Sequence, residues 1–347
     1  MLADDHVWVV VLAGGVGSRF WPVSTPERPK QLLPLASDQP LISDTMERAR
    51  ALVPDARIRI LAGEHLARPF ASALAGFPRD GYWIEPRARG TAPVLAWAAH
   101  KLMGIDPDAV MVSLHADHLI RPLDAFAETV AAAVRVARRE DALVCIGVTP
   151  DRIETGYGHV EPGALLDAGG SVSAYRVRAF HEKPDSATAR RYVDQGYLWN
   201  TGIFVWKASR LLEEIDRHAP EVSAYMPLLE KSAEAFFDAV PVSVIDRAVM
   251  ERSERVATVR ATFTWDDVGN WEALSRTLAP DEHGNVAVGK ARAIDARDNV
   301  VFAEEGEVVL FGVEDLVVVR TRDTTLVLPR GRAADLKTLL AELEKRA

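Results

Sequence analysis

Apolar positions fall into two textures along the 347 residues. Over the first two thirds, short β-branched runs alternate with stretches in which apolar residues recur at helical spacing. Val7–Ala13 is continuous, valine-rich and ended by glycines, which predicts a buried strand. Leu41–Val53 has the helical period, with Ser43 or Asp44 as its cap. Ile58–Ala62, Ala109–Leu114 and Ala142–Val148 read as further strands, and Ala92–Leu102 and Leu123–Arg139 as helices. Strand–helix–strand repetition of this kind predicts an α/β fold, a parallel sheet covered by helices on both faces and joined by right-handed crossovers.

From about Gly284 the texture changes. Val286–Ala291, Val300–Phe302, Val308–Val313, Leu316–Arg320 and Thr325–Leu328 are short and β-rich, with Gly, Asp and Asn between them. They predict a small all-β segment, solenoid or sandwich-like, followed by an amphipathic helix over Asp335–Arg346 that carries Leu336, Leu339, Leu340 and Leu343. The boundary falls near Asp281–Gly284, giving a first domain over 1–283 and a second over 284–347. No internal repeat is clear.

Charge and composition narrow the class. The net charge of −9 disfavours non-specific binding to nucleic acid or anionic membranes. The run Val7–Ala13 is far shorter than the ~20 residues a membrane span needs, and the acidic start at Asp4 and Asp5 is unlike a signal peptide. A single cysteine, Cys145, excludes an intramolecular disulfide, and its apolar surroundings suit a core thiol. A cytoplasmic protein is expected.

The candidate chemistry begins at Leu12-Ala13-Gly14-Gly15-Val16-Gly17-Ser18-Arg19, directly after the first strand. Glycines let the backbone approach a ligand closely, and successive free N–H groups make an anion-binding nest. Such a loop at the C-terminal end of a strand lies where open α/β sheets bind ligands. Arg19 and Lys30 are available to neutralise phosphate. The string is not a P-loop, which needs Gly-Lys-Ser/Thr, nor the dinucleotide fingerprint, because Phe20 stands where its third glycine belongs.

Continued through Phe20-Trp21-Pro22 and Pro29-Lys30-Gln31-Leu32-Leu33, the loop resembles the signature of the sugar-1-phosphate nucleotidyltransferases, in particular the mannose-1-phosphate guanylyltransferase branch. The resemblance runs along nearly the whole chain. It implies a Rossmann-like catalytic domain with a mixed, mostly parallel sheet, followed by a small β-helix-like domain. It further implies transfer of GMP from GTP to mannose 1-phosphate with Mg²⁺, giving GDP-mannose and pyrophosphate. A homodimer is compatible with such a chain. The longer relatives append an isomerase domain; the chain ends before one, so no isomerase activity is expected.

The same resemblance distributes roles. Leu12, Ala13, Gly14, Gly15, Gly17 and Ser18 would hold the nucleotide, with Arg19 and Lys30 catalytic. Glu85-Pro86-Arg87-Ala88-Arg89-Gly90-Thr91-Ala92 resembles the stretch that meets the nucleotide and its base, through Glu85, Arg89 and Thr91. Ala88 stands where Gly is usual and Gly90 where Asn is usual. By itself this is a loop leading into a helix with Thr91 as cap. Asp117, after the strand Ala109–Leu114, and Asp267, in Trp265-Asp266-Asp267-Val268-Gly269-Asn270-Trp271, align with two metal carboxylates, and oxygen ligands suit Mg²⁺. Asp266 is the competing neighbour. His115 and His118 do not make a zinc site at a usual ligand spacing. Gly158, Glu182, Lys183 and Asn200 would hold the sugar phosphate, with Asp246 a secondary candidate. Two rival readings stand beside this one: a transferase for another sugar phosphate or base, and a non-catalytic nucleotide-sugar sensor.

Overall fold

The computed structural model describes residues 1–2, 4–15 and 17–345. Val16, and Arg346 at which the terminal helix was expected to end, therefore lie outside the described residues.

The chain opens with β1 (Val7–Leu12), α1 (Leu41–Leu52), β2 (Ile58–Gly63), α2 (Glu64–Ala73), β3 (Tyr82–Glu85), α3 (Thr91–Ile105) and β4 (Val110–His115). Then come β5 (Leu119–Arg121), α4 (Leu123–Glu140), β6 (Leu143–Val148), β7 (Gly158–Leu166), β8 (Ala174–Glu182), α5 (Ser186–Asp194) and β9 (Leu198–Lys207). After α6 (Ala208–His218), α7 (Pro220–Ser223) and α8 (Ala233–Ala239) follow β10 (Val256–Arg260), β11 (Thr264–Asp266) and α9 (Leu274–Thr277).

Nine of these strands form one sheet in the order β3-β2-β1-β4-β9-β6-β10-β8-β7. The expectation of a parallel sheet holds for most strands but not throughout: β9 and β8 run against the others. Strand β7 also pairs with β9, so β9, β6, β10, β8 and β7 make a closed circuit.

Burial on both faces explains the unbroken apolar run of β1. Val7, Val9 and Val11 pack in one cluster with Ile42 and Met46 of α1 and Phe126 of α4. Trp8, Val10 and Leu12 point into the other, with Leu95 of α3, Leu211 of α6 and Phe237 of α8. Each such side chain contributes about 1.5–3 kcal/mol relative to exposure. Cys145 is buried there too, and burial pushes its thiol up to about 12, as a core thiol requires.

Two expected caps are placed otherwise. Helix α1 begins after Pro40, without a side-chain cap, and Asp44 instead accepts from Ser37 Oγ at 2.8 Å. Helix α3 begins at Thr91 after Gly90, and Thr91 Oγ1 accepts from the Ile245 amide at 2.9 Å.

The C-terminal segment contains β12 (Val286–Val288), β13 (Ala291–Ile294), β14 (Val300–Ala303), β15 (Val308–Phe311), β16 (Leu316–Arg320), β17 (Thr325–Pro329) and α10 (Leu336–Glu344). The stretch read as one strand over Val286–Ala291 is thus divided between β12 and β13. Strands β12, β14 and β16 stack in parallel, as do β13 and β15. This is a coil with an internal repeat that the sequence reading did not find. Buried asparagines mark it: Asn299 Nδ2 donates to Asn285 Oδ1 at 2.9 Å, and Asn299 Oδ1 accepts from Leu316 N at 3.0 Å. One wall of the coil, Val286, Val300, Phe302, Val317 and Val319, packs into a single cluster with Phe20, Leu33 and Trp271 of the N-terminal part.

Candidate active site

The site lies where β1 and β4 end side by side, Leu12 in register with His115. The glycine loop leaves β1 and Asp117 follows β4, so the fold places them together. Asp267 is brought in by a second device. Strand β11 pairs with β5, Asp266 opposite Leu119, which sets the Trp265-Asp266-Asp267 segment beside Asp117.

Lys30 joins the three pieces. It is 6% exposed, and its Nζ donates to Asp117 Oδ2 at 2.9 Å and to the Asp267 carbonyl at 2.7 Å. The loop must be glycine where it passes this lysine: at Gly17, with φ 70°, a Cβ would stand 2.3 Å from Lys30 Cβ. Gln31 Nε2 holds the carbonyls of Gly14 and Gly15 at 3.0 and 3.2 Å. The N–H groups of Gly14, Gly15 and Ser18 have no acceptor among the described residues, which is the condition for an anion nest.

Two adjoining cavities open here. One, of about 300 Å³, is lined by Leu12, Ala13, Gly14, Glu85, Gly90 and Thr91. The other, of about 440 Å³, is lined by Gly17, Ser18, Arg19, Lys30, Asp267 and Lys337. Gly15, His115 and Asp117 line both. Arg89 faces neither: its Nε donates to the Phe237 carbonyl at 2.7 Å and its Nη2 to that of Asp238 at 3.1 Å. These two bonds make Arg89 an anchor of the 85–91 loop. Glu85 does face its cavity, takes the Arg89 amide at 3.3 Å, and is raised by burial.

The two carboxylates differ from their rivals. Burial opposes ionisation of Asp117, but the Lys30 ammonium overrides it and holds the group at about 2. Burial raises Asp267, against the Lys30 charge and a 2.6 Å hydrogen bond from Tyr157 Oη to its Oδ1. Asp117 Oδ1 and Asp267 Oδ2 have no hydrogen-bond donor among the described residues, so each carboxylate keeps a hard oxygen for a cation. Asp266 is committed elsewhere, to Arg276 Nε at 2.7 Å and to the Val268 amide at 2.7 Å. That bond pins Val268 at φ 47°, a conformation rarely adopted by a β-branched residue and worth about 1–3 kcal/mol of strain.

The ligand atoms of His115, Asp117 and His118 lie within 4.8 Å of one another. His118 is nonetheless a poor metal ligand as it stands. The Trp265 indole donates to its Nδ1 at 3.1 Å, which places the remaining ring proton on Nε2. Burial lowers both histidines, which favours their neutral forms.

The sugar-side residues form a second cluster. Gly158 pairs with Glu182, and a Cβ at Gly158 would meet Glu182 Oε2 at 2.9 Å. Lys183, at φ 54°, pairs with the Glu182 carboxylate. Asn200 is buried, donating to Asp246 Oδ1 at 2.9 Å and accepting from Gly202 N at 3.1 Å, so much of its hydrogen-bonding capacity is spent on the protein. Burial and the Glu182 carboxylate push Asp246 up to about 7.

Three connectors tie these pieces together, in bonding roles that the sequence does not show. Tyr157 reaches Asp267 through its hydroxyl, while its carbonyl accepts from Lys183 N at 3.3 Å, linking the two clusters. Trp271 donates to the Trp21 carbonyl at 3.0 Å and packs edge-on against Phe20 at 4.9 Å. The segment Ser243–Glu251 straps the two sides together. Its Ser243 exchanges backbone bonds with Arg89 and Ala92, and Glu251 accepts the Glu182 amide at 2.7 Å.

This is a nucleotidyl-transfer architecture, and comparison with known proteins agrees. Residues 8–283 match the Nucleotidyl transferase family, and residues 289–343 match the MannoseP isomerase/GMP-like beta-helix domain. The chain is 34% identical to the mannose-1-phosphate guanylyltransferase of Escherichia coli K12, over 99% of this chain and 74% of that protein. It is 35% identical to the alginate biosynthesis protein AlgA of Pseudomonas aeruginosa, over 96% of this chain and 72% of that protein. A crystal structure from Thermus thermophilus, described as a mannose-1-phosphate geranyltransferase, superposes with a TM-score of 0.87 at 34% identity. The match covers 98% of this chain and 99% of that one. The chain belongs to the nucleotidyl transferase family, and within it to the mannose-1-phosphate guanylyltransferases.

Proposed function

We propose that the protein transfers GMP from GTP to mannose 1-phosphate, giving GDP-mannose and pyrophosphate. The observation that carries this is the meeting of Asp117 and Asp267 on Lys30, at the mouth of a loop with free N–H groups. A phosphate oxygen of the sugar phosphate attacks the α-phosphorus of GTP in line, and pyrophosphate leaves. The substrate supplies the nucleophile, so the protein's work is positioning and charge stabilisation. The 85–91 loop and Leu12–Ala13 border the space for the nucleoside. The N–H groups of the glycine loop and Arg19 face the space for the triphosphate. Lys183 offers the sugar phosphate a cation, and Glu182 accepts from sugar hydroxyls.

Mg²⁺ fits the donor set, two half-buried carboxylates each with an uncommitted oxygen, and Asp117 and Asp267 would hold it. Bound there, it would supply charge neutralisation at the reacting phosphate. A free, buried cysteine and a nucleoside triphosphate substrate suit work in the cytoplasm. None of the described helices is long and apolar enough to cross a membrane. A homodimer is compatible with the chain, and Ile294, Val309 and Phe311, all more than half exposed on the β-helix, would offer it an apolar face. We place the boundary between the two domains at 283/284.

Pyrophosphate release from GTP and mannose 1-phosphate, with and without Mg²⁺, tests the reading. Asp117→Asn should lose roughly 10²–10³ in rate while still folding; near-normal turnover removes Asp117 from the mechanism. A panel of nucleotides and sugar 1-phosphates separates this activity from its neighbours, and no release with any pair sinks the enzyme reading.

A further inference from the structure

The triphosphate cavity has one lining residue from outside the catalytic domain, Lys337 of α10. We propose that Lys337 is a phosphate-binding residue of this site, contacting the β- and γ-phosphates that leave as pyrophosphate. The inference rests on the triphosphate occupying this cavity, as set out above.

Three observations carry it. First, the position is built. Leu336, adjacent in sequence, is 1% exposed and shares a cluster with Phe20 and Trp271, so α10 is pinned against the turn that carries Arg19. Second, the ammonium is uncommitted. Lys337 has no ion pair or hydrogen bond among the described residues. Its helical neighbours at three and four positions, Ala333, Ala334, Leu340 and Ala341, offer no carboxylate, and Asp335 is taken by Arg332 at 3.0 Å. Third, the cavity needs such a charge. The Lys30 ammonium is spent on Asp117 and the Asp267 carbonyl, which leaves Arg19 alone among the catalytic-domain cations lining this space. A polyanion there calls for more than one free cation, and charge-assisted contacts to phosphate are the strong kind. The β-helix domain therefore completes the nucleotide site as well as supporting it.

The experiment uses the full chain and inorganic tripolyphosphate, titrated calorimetrically into wild type, Lys337→Gln and Lys337→Arg, with steady-state kinetics alongside. Lys337→Gln should bind tripolyphosphate roughly tenfold more weakly. Its KM for GTP should rise with that for mannose 1-phosphate unchanged, Lys337→Arg should recover most of the loss, and all three proteins should melt together. Equal tripolyphosphate binding by wild type and Lys337→Gln overturns the role of Lys337 alone. Failure of wild type to bind tripolyphosphate overturns the triphosphate reading of the cavity, and Lys337 with it.

Discussion

At the scale of single residues, the site is assembled from close approaches that admit no substitute. Gly90 shows this. It adopts φ 85°, ψ 178°, and a Cβ there would stand 2.3 Å from the Ser243 carbonyl oxygen. The family's usual asparagine at this place would meet the same obstacle, so here the strap occupies what a side chain would need. Gly90→Ala is expected to displace Ser243–Glu251, lower the melting temperature by a few degrees, and raise the KM for GTP. An unchanged melting temperature and KM would show that the strap yields freely. Asp246 gives a second expectation. Its folded value of about 7 lies above the ~3.9 of an unfolded chain. The folded state then binds more protons between these values, so stability falls as pH rises from about 4 to 7. Asp246→Asn should remove that slope; parallel melting-temperature profiles for the two proteins across pH 4 to 8 would contradict it. The candidate residues themselves were legible because each stands in a short string with its own chemistry. The contacts of Tyr157 and Gln31 were not, because what a tyrosine between glycines and a glutamine after a lysine hold is decided only when Asp267 and the Gly14–Gly15 carbonyls are beside them.

At the scale of elements, periodicity reported β1, β2, β4 and β6 well, since strands buried on both faces leave continuous apolar runs. It was silent on the antiparallel β7, β8 and β9. Residues 158–182 mix exposed charges with apolar positions; β7 and β8 form a local hairpin, but its place in the sheet comes from β9 and β10, more distant in sequence. The β-helix repeat was hidden for a related reason: its period is kept by Asn285 and Asn299 bonding across coils, while the strands between are only three to five residues long. Trp271 is the element-level hinge of the whole arrangement, touching Phe20, the Trp21 carbonyl and Phe302 at 5.1 Å. Trp271→Ala should cost about 3–5 kcal/mol in denaturant unfolding. A loss below about 1 kcal/mol would mean that the junction is not a packed core.

At the scale of the whole molecule, the C-terminal coil is part of the core beneath the signature loop. Deleting residues 284–347 would expose Phe20, Leu33 and Trp271 and remove Lys337. The shortened chain is expected to melt lower, bind hydrophobic dye, and lose turnover with GTP. Full activity in a stable shortened chain would make the coil dispensable. What the sequence by itself determined was the class of fold and the short strings that carry the candidate site residues, because local propensity and local motifs carry that information. What only the tertiary structure decided was which groups meet: that Lys30 joins Asp117 to Asp267, that Asp266 turns to Arg276, that Arg89 anchors a loop, and that a lysine near the C-terminus faces the first loop of the chain. Most of those outcomes depend on sheet order and strand register, which bring together residues from tens to hundreds of positions apart and leave no trace in either neighbourhood alone.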